Sequence, residues 1–275
     1  MDTMISINII RRAGVFIAGL SAAPLILAAC SSGGGSARTP LTPRQALLAA
    51  ATQTQQVTSA TELLTSQVTQ GTQSETTTGI IRVQVKPALQ LAANLHLAAA
   101  GKSAQVKEIL TSTAVYFSAP SLTSQLGKPW VKIDLSALKG TAAASFAQEL
   151  LNLQNSNFSY QAEMLTLAKN ARVAGTQTVD GVSTTEYAGS IKAAEGLKAL
   201  PAGIHKALAP ELQALGNNTI SFRVWIDGQN HLRKFTEVLT AHGVTVHTTV
   251  NITALNQPVH ITLPPASQTA TMPGL

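Results

Sequence analysis

From Ile81 to Ile252 the chain repeatedly alternates apolar with polar residues at a period of two, and no other feature constrains its fold as tightly. Ile81, Val83 and Val85 alternate with Arg82, Gln84 and Lys86, and Leu89, Leu91, Ala93, Leu95 and Leu97 alternate with Gln90, Asn94 and His96. Successive side chains of a strand point to opposite faces, so each run predicts a strand with one apolar and one polar face. The same pattern returns later. Ile220, Phe222, Val224 and Ile226 alternate with Ser221, Arg223 and Trp225, while Val244, Val246, Val250 and Ile252 oppose Thr245, His247, Thr249 and Asn251. Further strands are expected near 59–70, 104–111, 113–118, 129–135, 173–179, 182–191 and 231–241. Asp180-Gly181 is a two-residue hairpin signal, because both residue types tolerate positive φ, and Asp227-Gly228 marks a second turn.

Helices are segregated from these runs. Thr42-Pro43-Arg44-Gln45 reads as a helix start, with Thr42 as cap, Pro43 at the first helical position and Gln45 completing a capping box. That helix is expected to run to about Val57. Phe146, Leu150 and Leu153, then Tyr160, Met164, Leu167 and Ala168, lie on helical stripes, and a third insert carries Leu197, Leu200, Ile204, Leu208, Leu212 and Leu215. About eleven antiparallel strands with helices kept apart from them specify an α+β fold rather than a doubly wound parallel sheet. A long sheet with one apolar face must curl or be covered, and the helical inserts are the expected cover.

The amino terminus carries a separate message. Arg11 and Arg12 precede the uncharged stretch Ala13–Ala29, which is broken by Gly14, Gly19 and Pro24. A membrane-spanning helix wants roughly 20 unbroken apolar residues; a cleavable export signal over 1–29 fits better. Leu27-Ala28-Ala29-Cys30 matches the lipobox of bacterial lipoproteins, and Ser31-Ser32-Gly33-Gly34-Gly35-Ser36 follows as a flexible spacer within a linker over 30–42. Cys30 is the only cysteine, so its thiol is expected to take a diacylglyceryl group and anchor the exported chain to the outer face of the cytoplasmic membrane. Internal disulfides and CxxC sites are excluded.

Composition excludes more. Without residues 1–29, which hold Asp2, Arg11 and Arg12, the 19 Lys+Arg and 13 Asp+Glu fall to 17 and 12, a net charge of +5. The basic residues are scattered and aromatics make up 4% of the chain, whereas nucleic-acid binding wants a basic stripe interleaved with aromatics. No GxSxG, HExxH, GxxxxGK[ST] or GxGxxG occurs. His96, His205, His231, His242, His247 and His260 lack metal-ligand spacing, with His247 expected on a solvated face. Asp180 and Asp227 suit turn geometry better than acid–base chemistry, and Glu149 and Glu163 fall on predicted helices as solvated residues. The expectation is a non-enzyme without metal or cofactor. Trp130 and Trp225 are read either as cavity-mouth residues or as anchors between strand and helix.

Three segments resemble a known family. Val115-Tyr116-Phe117-Ser118-Ala119-Pro120 with Gly127-Lys128-Pro129-Trp130-Val131-Lys132-Ile133-Asp134 is similar to a passage common in actinobacterial lipoproteins. Val179-Asp180-Gly181-Val182-Ser183-Thr184-Thr185-Glu186-Tyr187 and Val224-Trp225-Ile226-Asp227-Gly228 resemble two more. In order, behind a lipobox, they resemble the LppX/LprG-type lipoproteins within the LolA-like superfamily, over roughly residues 43–262. A tail over 263–275, rich in Pro, is expected to be loose. The resemblance implies a strongly curved half-barrel whose helices close the concave side over an apolar cavity. It also implies carriage of lipid or lipoglycan across the cell envelope, with other envelope transport proteins as partners. The cavity-lining candidates are Leu89, Leu91, Leu95, Val115, Phe117, Val131, Ile133, Ile220, Phe222, Val224 and Ile226. Small residues such as Ala92, Ala93 and Ala98 would leave such a wall smooth. The alternative is a surface lipoprotein that carries nothing and serves as scaffold or sensor accessory for a partner protein.

Overall fold

The computed structural model describes residues 41–54, 56–138, 168, 170–192, 194–195 and 218–271. The expected helices over 146–153 and 197–215, most of that over 159–169, and the amino-terminal segment with Cys30 lie outside them.

Helix α1 (Pro43–Thr54) begins as its sequence predicts. The Gln45 backbone N–H donates to Thr42 Oγ1 at 3.3 Å, and the Thr42 N–H donates to Gln45 Oε1 at 2.9 Å, a reciprocal capping box. The helix stops at Thr54, short of Val57, where β-branched Thr52 and Thr54 weaken helix propensity. Its buried side, Ala46, Leu47, Ala50 and Ala51, lies against the sheet.

Among the described residues, twelve strands form one curved, open sheet. They are β1 (Ser59–Gln70), β2 (Gln73–Gln84), β3 (Gln90–Ala99), β4 (Lys102–Leu110), β5 (Ala114–Ser118), β6 (Trp130–Asp134), β7 (Arg172–Val179), β8 (Val182–Lys192), β9 (Thr219–Asp227), β10 (Leu232–Ala241), β11 (Val244–Leu255) and β12 (Thr269–Thr271). Their spatial order is β12-β6-β5-β4-β3-β2-β1-β11-β10-β9-β8-β7. Two meanders, β1 to β6 and β7 to β11, are thus joined where β1 pairs with β11. The connection from β6 to β7 joins opposite halves of the sheet, and Ala168 within it is 1% exposed and packed with Phe222 and Tyr187.

Tight turns set the register. Asp180 and Gly181 take φ 47° and 79°, and Ala100-Gly101 and His242-Gly243 repeat the pattern, the primed geometry that matches strand twist. Two features differ from expectation. Residues 266–271 are not loose, since a short 3-10 turn leads into β12, which pairs parallel to β6 from Thr269↔Trp130 to Thr271↔Lys132. Three residues of Thr-Ala-Thr are too few to show periodicity. A short helix, α2 (Pro120–Leu126), was also not foreseen; Pro120 opens it and Gly127, at φ 66°, closes it.

Asp227 holds the β9–β10 turn. Its carboxylate accepts hydrogen bonds from the backbone N–H groups of Gln229 (2.8 Å) and His231 (2.9 Å) and from Arg233 Nε (2.8 Å). Burial opposes ionisation here, but those donors outweigh it and hold the carboxyl below the ordinary aspartate range. This is the turn role read from the sequence, performed by a buried ion pair rather than by a two-residue hairpin. Asp227→Ala strands Arg233 and two amides, and is expected to cost about 3 kcal/mol of unfolding free energy in urea titrations.

Candidate functional site

Strand pairing assigns every strand-borne side chain to one of two faces. Tyr187 on β8, Val224 on β9, Phe235 on β10, Val250 on β11, Leu64 on β1, Gly79 on β2, Leu95 on β3 and Val106 on β4 are successive partners and therefore share a face. The core cluster around α1 lies on that face, here called inner. A second row joins Ile252, Glu62, Ile81, Ala93, Glu108, Phe117 and Val131. A third joins Ala60, Val83, Leu91, Leu110, Val115 and Ile133.

The sequence-predicted lining residues therefore come together. Leu91, Leu95, Val115, Phe117, Val131, Ile133, Ile220, Phe222, Val224 and Ile226 all lie on the inner face, and Leu89, just before β3, packs with the same cluster. They divide by depth. Val131, Val224 and Ile226 are buried at 3% exposure or less, whereas Leu91, Val115, Phe117 and Ile133 keep partial exposure. The β8–β11 end is a filled core beneath α1; the β3–β6 end is an apolar wall with accessible surface. Ala93 shares the inner face, and Ala92 and Ala98 lie on the opposite one.

Two glycines let the wall bend closely. A Cβ on Gly79 would sit 2.3 Å from the Asn94 carbonyl oxygen, and one on Gly189 would sit 2.7 Å from Phe222 Cζ. No ordinary side chain fits at either position.

Four carboxyls interrupt the inner face and were not singled out from the sequence: Glu62, Glu75, Glu108 and Glu237. Their signal is parity, since Glu108 falls between Val106 and Leu110, and Glu237 between Phe235 and Leu239, on the apolar side of their strands. Glu62 is 2% exposed. Glu108 and Glu237 make no hydrogen bond or ion pair among the described residues, and burial raises each from its ordinary 4.5 to about 7. Both nonetheless keep intermediate exposure, so they sit deep among protein atoms yet border space.

The outer face differs in chemistry. Arg82, Lys107, Lys132, Arg172, Arg223 and Lys234 all point there, with Lys234 lying 4.6 Å over the Trp225 ring. Trp225 thus neither lines the inner wall nor meets α1, and Trp130 is likewise outward, beside β12. His247 faces outward, as expected, into an open depression of about 330 Å³ shared with Arg172, Ser190, Ser221 and Thr236. Among the described residues no group of three or more His, Asp or Glu is arranged to hold a metal.

The architecture is similar to that in the crystal structure of LprF from Mycobacterium bovis, at 15% sequence identity and TM-score 0.51, covering 81% of this chain and 96% of that one. At this identity the likeness establishes a shared fold. The structure of the lipoprotein LppX from Mycobacterium tuberculosis is also similar, at 19% identity and TM-score 0.43, covering 79% of this chain and 98% of that chain. No protein-family model matches the sequence, nor does any curated protein.

The raised carboxyls predict a pH signature. The folded chain holds these two protons more tightly than the unfolded chain, so their contribution is fully present below about pH 4.5 and lost as pH rises through about 7. The double variant Glu108→Gln/Glu237→Gln is expected to exceed the parent stability at pH 8 by on the order of 2 kcal/mol. That gap should shrink as pH falls through about 7 and close by about pH 4 in urea titrations.

Proposed function

We propose that this protein is an exported, lipid-anchored carrier of acyl lipid or lipoglycan, tethered through Cys30 to the outer face of the cytoplasmic membrane. One observation carries the reading: the apolar rows form a continuous wall across the curved sheet, and its β3–β6 half keeps accessible apolar surface at Leu91, Leu97, Val115, Phe117 and Ile133. Exposing a sixteen-carbon chain to water costs on the order of 12 kcal/mol, at ~0.8 kcal/mol per methylene. A dry concave wall removes that cost during transit. The fold shared with LprF supports this reading, as does the resemblance of three segments to the LppX/LprG-type lipoproteins.

The anchor gives the carrier its place. Two acyl chains on one sulfur hold durably where one is marginal, and the Gly/Ser composition that follows Cys30 is that of a linker. Cys30→Ala is expected to abolish incorporation of radiolabelled palmitate and shift the protein from the membrane to the soluble fraction.

Cargo is tested on that unanchored chain. Organic extraction followed by mass spectrometry of protein purified from the native host is expected to recover acyl lipid near one equivalent per chain. Leu91→Trp with Leu97→Trp, which fills the accessible part of the wall, should lower the yield at least fivefold with the melting temperature little changed. Repeated preparations free of lipid would remove the carrier reading and favour a scaffold that binds a partner protein.

A further inference from the structure

Charge is sorted between the two faces of the sheet. Among the described strands, Lys102 at the first position of β4 is the one cation on the inner face, and it is exposed. Arg233 lies in the β10 irregularity and turns to Asp227; the other strand-borne lysines and arginines point outward. The outward acids are neutralised, with Asp134 bonded to Lys132, Glu186 to Arg223 and Asp227 to Arg233. The inner face carries Glu62, Glu75, Glu108 and Glu237, and neither Glu108 nor Glu237 has such a partner cation among the described residues. Glu108 and Glu237 meet no donor at all among the described residues.

These carboxyls have a defined placement. Glu237 on β10 continues across the sheet as Thr248 on β11, Ser66 on β1 and Thr77 on β2, a polar band across an otherwise apolar wall. Within it Ser66 and Thr248 bond to each other at 3.3 Å, and Glu237 is left over. Glu108 is five strand spacings away, about 24 Å along the sheet at 4.8 Å per strand, and borders the accessible Phe117. A polar group placed in an apolar wall without a protein partner costs stability. It is satisfied when a ligand brings the missing donor.

We infer that the inner face selects acyl lipids whose buried polar group is uncharged and donates hydrogen bonds, such as a diacylglycerol hydroxyl, and rejects anionic phospholipids. This rests on the carrier reading and narrows it. A hydroxyl donates to a carboxyl oxygen in either protonation state. A phosphate instead meets like charge where the dielectric is low and no guanidinium or ammonium on the strands answers it.

The test uses the full chain carrying Cys30→Ala and three probes with the same oleoyl chains and fluorophore. These are a diacylglycerol, the corresponding phosphatidic acid, and a monoglucosyl diacylglycerol whose larger head group is uncharged and carries hydroxyls. At pH 8 the diacylglycerol is expected to bind at least about tenfold more tightly than the phosphatidic acid, with the glucosyl lipid nearer the former. In Glu108→Gln/Glu237→Gln the ratio should fall to within about threefold, through tighter binding of the acid. Equal affinities, a preference for the acid, or a ratio unchanged in the double variant would overturn the inference and leave the carrier standing. A glucosyl lipid as weak as the acid would assign the selection to head-group size and overturn it too. If none of the probes binds, the carrier reading falls and this inference with it.

Discussion

The pairing of β1 with β11 is the constraint on which everything else depends. It joins a meander that begins near residue 59 to one that ends near 255, and it runs from Ala60↔Leu255 to Gln70↔Val244. Without it there are two separate sheets with two short apolar faces. With it, Val250 meets Leu64 and Ile252 meets Glu62, and rows of side chains cross the joint unbroken. Because side chains alternate, a slip of one residue here would turn one half of the wall outward. A single irregularity between Thr61 and Glu62 absorbs the mismatch near the end of the ladder.

Much of this was legible in the residues. Period-two alternation places a side chain on a face without knowledge of which strands pair, so all the candidate lining residues from Leu91 to Ile226 fall on one side. Turn chemistry was equally local, since Asp180-Gly181 needs positive φ and Thr42 with Gln45 needs only three residues of spacing. What escaped depends on distant partners. β12 is defined by its neighbour β6 rather than by its own three residues, and the Lys234 contact on Trp225 is made across a strand pair. Gly79 looks like any strand glycine until the Asn94 carbonyl is placed against it. Glu108 and Glu237 stand in the apolar parity of their strands, and that mismatch between chemistry and position is readable in the residues alone.

The two faces of the sheet differ in chemistry. The outer face of the described strands carries Arg82, Lys107, Lys132, Arg172, Lys192, Arg223 and Lys234, a chemistry that suits the neighbourhood of anionic head groups. The inner face is apolar with isolated carboxyls at Glu108 and Glu237, the chemistry on which the proposed acyl-lipid cargo rests. The same basic residues distributed on both faces would give the same composition and neither property. Register, rather than composition, creates the sorting.

The central claim is that the accessible part of the inner wall holds an acyl chain. The most direct measurement is anomalous diffraction from crystals of the protein loaded with a lipid whose acyl chains carry bromine at known carbons. The account predicts bromine peaks beside Leu91, Leu97 and Phe117, ordered along the wall in the sequence of the labelled carbons. Protein side chains filling that space, with bromine absent from it or found only on the outer face, would contradict the account.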